Sequence, residues 1–191
     1  MSALAARIRA IDLEAFDWVT AVALGVDLVL ESSLAHGVPE RYRLLTALCA
    51  VPFAATIGVR RRWPAGALVA CAGAALIQQI LHGQLFISLP SESAELGPIL
   101  CAYGVGAWLA PRRGLVAGAA AGALLLLVAL ISHMQHAPGA PGLGGGLALV
   151  AFFIVGPLAV GWVVQSRNRR TGAFTELERQ LVAQRAEFEH A

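Results

Sequence analysis

Asp27 and Glu31 stand four residues apart in a run that is otherwise apolar, so a helix would carry both carboxylates on one face. Ionisable groups inside an apolar helix are expensive to bury, which makes them candidates for function. Four of the five histidines, His36, His82, His133 and His136, fall where the same end of successive apolar runs is expected. Imidazole titrates near neutral pH and, when neutral, ligates transition metals. His133 and His136 are three apart and would share a helical face. Asp27, Glu31, His82, His133 and His136 are thus the candidate sensing residues, for a proton, a metal or a small cation. The commoner arrangement of such groups is structural: Asp27 and Glu31 paired with Arg41 or Arg43, and rim histidines in water. No residues are identified as catalytic, none as a metal centre, and no cofactor is expected.

These residues need apolar elements to hold them. Of 191 residues 58% are hydrophobic and 14% charged, well below the quarter usual in soluble domains. A bilayer is the expected partner. A net charge of +2 does not suggest a nucleic-acid binder. Cys49, Cys71 and Cys101 all lie in apolar runs without CxxC or Cys/His spacing, and read as small buried hydrophobes.

Runs long enough to cross a bilayer are expected at Phe16–Ser33, Leu44–Val59, Ala65–Ser88, Leu96–Ala110, Gly114–Ser132 and Leu147–Gln165. Four spans are the fallback. Asp27 and Glu31 interrupt the first run, which argues against a cleaved leader. All 14 basic residues are arginine. Arg7, Arg9, Arg60–Arg62, Arg112, Arg113, Arg167, Arg169 and Arg170 fall on one side, and only Arg41 and Arg43 on the other. The positive-inside rule then puts both termini in the cytoplasm. Trp18, Trp63, Trp108 and Trp162 lie at that same boundary. The opposite loops are short, and "HMQHAPGAPGLGGG" reads as a flexible linker. Gly114, Gly118 and Gly122 form a small-residue stripe that admits a neighbouring helix. Pro52 and Pro157 should kink or loosen their helices.

The fold class expected is an all-α membrane protein. Residues 1–15 are a cytoplasmic segment, 16–165 a compact six-helix transmembrane bundle, and 166–191 an arginine-rich exit with a short coiled-coil helix. In that last part Phe174, Leu177, Leu181, Gln184 and Phe188 are spaced as an a/d seam, Gln184 being its polar member. The seam covers about two heptads, too little to stand alone in water, so it needs an anchor at each end.

The chain resembles the N-terminal membrane region of bacterial sensor histidine kinases that have six compact spans. The residues carrying the likeness are "FDW" at Phe16–Trp18, "RRRWP" at Arg60–Pro64, "APRRG" at Ala110–Gly114 and "RNRR" leading into "ELERQLVAQRAEFE". The resemblance implies a homodimer in the bacterial plasma membrane that signals through a two-component phosphorelay. It also implies a cytoplasmic kinase domain and a response regulator as partners. His190 does not match the family's phosphoacceptor motif, and no phosphate-binding loop is present, so this chain by itself is not expected to be an enzyme. Two other classes stay open: a small transporter or permease subunit, and a membrane scaffold that recruits a partner helix.

Overall fold

The computed structural model describes residues 3–34, 40–82, 92–134 and 142–190, and every regular element among them is helical. In chain order these are α1 (Ala3–Leu34), α2 (Glu40–Val59), α3 (Pro64–His82), α4 (Glu92–Trp108) and α5 (Pro111–Met134). A last long helix follows: α6 (Leu143–Val150), a π-helical turn at Ala151–Val155, and α7 (Gly156–His190). Two helical stretches, Pro111–Met134 and Gly144–Phe174, are long and apolar enough to cross a membrane. Ala50–Val59, Pro64–Ile77 and Leu96–Trp108 are shorter apolar helices.

The principal pairings are α1 on α2, α3 on α5, and α4 on α7. Between them lies one apolar core containing Phe53, Leu68, Ala75, Val105, Leu125, Ile154 and Leu158. The outward surface is also apolar: Phe16, Val19, Val22, Val51, Leu115, Val116, Phe152 and Val160 are all largely exposed. This inverts the amphipathic helix of a soluble protein, whose outer face is polar.

Small residues set how closely helices approach. A methyl group added at Gly106 would lie 2.2 Å from the Leu158 carbonyl oxygen, and one at Gly161 would lie 2.5 Å from the Tyr103 carbonyl oxygen. The contact of α4 with α7 is therefore backbone against backbone, a distance only paired glycines permit. The Gly114/Gly118/Gly122 stripe turns toward the same last helix, toward Trp162, Leu158 and Val150 in turn.

The structure corrects several boundaries. α1 begins at Ala3 rather than near Phe16, since alanine, leucine and arginine favour helix whether or not lipid surrounds them. α4 begins at Glu92, taking Ser93 and Glu95 into a helix where a loop was expected. Leu143–Gly146, read as flexible linker, are helical as well. Tertiary packing outweighs glycine's poor propensity here, because a Cβ at Gly146 would come within 3.0 Å of the Ala129 Cβ. Ahead of Pro157 the ladder widens into the π turn, where the Gly156 N–H donates to the Ala151 carbonyl.

Candidate functional site: an ion cluster at the arginine-rich end

α2 ends in a tight turn, with the N–H groups of Arg62 and Trp63 both donating to the Val59 carbonyl at 3.0 Å. Pro64 then opens α3, the position where its missing N–H costs nothing. Three consecutive arginines are fanned out by this turn toward α1. There Glu14 and Asp17, three residues apart, share a helical face.

Asp17 is 0% exposed. One of its oxygens accepts from Arg60 Nη2 at 2.6 Å, and the other accepts from Arg61 Nε. Glu14, nearer the surface, accepts from Arg62 Nη2 at 2.9 Å and Nε at 3.4 Å. The guanidinium of Arg61 lies 5.0 Å from the Trp108 ring centroid, a cation–π contact that draws the end of α4 into the cluster. Trp18 packs over Gly58, where any Cβ would fall 2.7 Å from the indole ring.

The hydrogen bond and charge of Arg62 hold the Glu14 carboxyl below its ordinary value, and Glu14 raises Arg62 in return. The inner part of the cluster has two guanidinium groups for one carboxylate, leaving one net positive charge. Arg60, its side chain 9% exposed, also keeps Nε and Nη1 buried without a hydrogen-bond partner. Such an arrangement does not shuttle protons, because guanidinium stays charged across the physiological range. It fastens helices together. Next to it, Gln165 Nε2 of α7 donates to the Leu109 carbonyl at the end of α4 at 3.1 Å. The fastening therefore runs from α1 through the Arg60–Trp63 turn and Trp108 to the last helix.

The residues singled out as sensing candidates lie elsewhere. Asp27 is on an exposed face of α1, and His133 is exposed in the last turn of α5, beside Gly146 of α6. Glu31 and His82 are in helical backbone, with side chains outside the described residues, and His136 lies outside them altogether. Among the described residues no three His, Cys, Asp or Glu side chains gather as a metal-ligand set. In the tail, Phe174 and Leu181 are exposed on α7, while Leu177, Gln184 and Phe188 are helical with side chains outside the described residues.

From the sequence, Asp17 is only a mark of the resemblance, and the arginine triplet is a mark of the resemblance and of orientation; neither reading pairs them. A signal for their pairing was present: two acids at the start of one apolar run, and three arginines at the next boundary on the same side. No protein-family model matches this chain, and neither a curated protein nor a solved structure matches it.

Proposed function

We propose that this chain is the membrane-embedded input and dimerisation module of a sensor histidine kinase, with six spans and both termini in the cytoplasm. The observation that carries the reading is the path of α7. It leaves the bundle at a glycine-to-glycine contact with α4, beside the Asp17 cluster, and continues as one helix to His190. A rigid helix clamped inside the bundle at one end and running on beyond it transmits displacement, which is what an input module has to do.

Three further features support it. The apolar outer surface suits lipid rather than water. The arginine triplet, Arg112–Arg113 and the Arg167–Arg170 segment alternate along the chain with apolar helices, as a multi-pass protein oriented by the positive-inside rule requires. Exposed Phe174 and Leu181 stand one heptad apart on the tail, so a second copy would cover them as a parallel coiled coil.

In this mechanism the bundle has two packings of similar energy. A stimulus biases them only through its differential affinity for the two. The difference moves α7 by a small shift or rotation, and the coiled coil hands it to kinase helices. Phosphoryl transfer belongs to the kinase core that the tail joins.

The test is the mass of the native polypeptide captured from its own membranes with an antibody to residues 176–190. A mass well above 19.9 kDa, with a histidine-bearing helix and an ATP-binding domain in the added sequence, supports the reading. A mass of 19.9 kDa overturns it in favour of a stand-alone transporter subunit or scaffold.

A further inference from the structure

Between Glu95 and Glu176 the chain has no acidic residue, yet five arginines fall in that interval. Arg112 and Arg113 open α5, and Arg167, Arg169 and Arg170 follow where α7 leaves the bundle. All five are exposed, and no ion pair reaches any of them among the described residues. They differ in this from Arg60, Arg61 and Arg62, each of which is held by Asp17 or Glu14.

Two contacts bring the two segments to one place. Gln165 Nε2 of α7 donates to the Leu109 carbonyl at 3.1 Å, just ahead of Pro111. One turn earlier Trp162 lies against the first turn of α5, its Nε1 3.5 Å from where a Cβ of Gly114 would stand. Trp162, Gln165 and Arg169 are spaced three and four apart, so they share the face of α7 turned to the junction of α4 with α5. Arg169 follows the Leu109 contact by one turn, about 6 Å along that face. Beside the arginines the surface becomes apolar at once. Val116, one turn after Arg112, is 71% exposed, and Val163, one turn before Arg167, is 58% exposed.

We propose that the start of α5 and the exit of α7 form a binding site for the headgroup of an anionic phospholipid, with Arg112, Arg113 and Arg169 as its principal cations. The surface complements a molecule with an anionic head and an apolar body. A nucleic acid or an acidic protein would use the arginines and leave the valines uncovered. The forked guanidinium donates two parallel N–H bonds to phosphate, and basic pockets between helices at the cytoplasmic face take such headgroups. Orientation by the positive-inside rule requires only that arginines lie on one side, whereas this site requires them to converge without acidic partners. A bound headgroup would bridge α5 to α7 at the point where the tail departs, and so bias the tail's position. The inference rests on the membrane part of the reading above and not on its kinase part.

The test is photocross-linking of the full chain in liposomes, with phosphatidylglycerol or phosphatidylcholine carrying the same photoactivatable group. Phosphatidylglycerol should label residues 112–116 and 160–170 in preference to the rest of the apolar surface, and phosphatidylcholine should show no such preference. This arm uses the wild type, so it stands even if a variant misfolds. In neutral detergent, native mass spectrometry should show phosphatidylglycerol retained by the chain and not displaced by inorganic phosphate. Arg112→Gln, Arg113→Gln and Arg169→Gln should each weaken retention about fivefold. Arg62→Gln removes an exposed arginine already paired with Glu14, and should leave retention unchanged. Displacement by inorganic phosphate, or an equal loss in Arg62→Gln, overturns the proposal. Equal labelling by the two lipids overturns it while leaving the membrane reading standing, and a chain labelled by neither lipid overturns both.

Discussion

Arg60 places Nη2 2.6 Å from an Asp17 oxygen across forty-three residues of sequence, and neither side chain has appreciable contact with solvent. The pair joins the first helix to the turn between the second and third. Its stability depends on both members, because a buried charge left alone cannot be solvated.

Asp17→Asn should therefore destabilise the bundle by about 3–5 kcal/mol, the range for breaking a buried ion pair from one side. Arg61→Gln should cost clearly less, since Arg61 is partly exposed and its loss leaves Asp17 with Arg60. Reversible unfolding in mixed micelles gives both values. Equal effects from the two substitutions would count against Asp17–Arg60 as the inner pair.

Glycine substitutions should divide sharply by position. At Gly161 an added methyl meets α4 backbone, which has no rotamer with which to yield, so Gly161→Ala should cost about 1–3 kcal/mol or beyond. Nothing lies within 4 Å of a Cβ at Gly172, where alanine should instead stabilise the helix by about 0.5–1 kcal/mol. Thermal unfolding followed by circular dichroism separates the two, and destabilisation by Gly172→Ala would contradict the continuous helix.

Acid should loosen the outer pair of Glu14 and Arg62. Arg62 holds Glu14 below the usual glutamate range. The contribution of this contact is complete above the unfolded-state value and is lost as pH falls through the lower folded one. The side-chain carboxyl resonance of Glu14 should titrate at lower pH in the wild type than in Arg62→Gln. Identical midpoints would show that the contact does not persist in solution.

Cysteine introduced at Leu181 in a chain otherwise free of cysteine should cross-link to a second copy in membranes, because facing seam positions meet in a parallel coiled coil. Cysteine at Glu178, off the seam, should cross-link much less. Equal yields at the two positions would argue against a paired tail.

The long apolar runs made most of the helices legible in the sequence, Pro111–Met134 most clearly. Hydropathy marks where lipid would suit a chain and not where a helix stops, so it missed the extension of α1 back to Ala3. The Gly144–Gly146 stretch was opaque for the opposite reason. Its local propensity says loop, and only the neighbouring Ala129 explains why it is helix. Tertiary pairing was the least legible. Asp17 with Arg60, and Thr56 with Cys101, are joined by helix packing over long separations, and no spacing rule along the chain connects them. The sensing candidates were chosen because they are ionisable within apolar sequence, a criterion that also fits Asp17, which lies at the opposite end of the first run from Asp27.

Transmission from bundle to tail is tested most directly by joining the chain through α7 to a histidine-kinase core and inserting residues one at a time after Gly172. Autophosphorylation is then measured in proteoliposomes. If α7 carries a rotational or axial bias, activity rises and falls with the helical phase of the insertion and returns after a full heptad. Activity that is the same at every insertion length would mean that the tail only tethers, and would contradict the account.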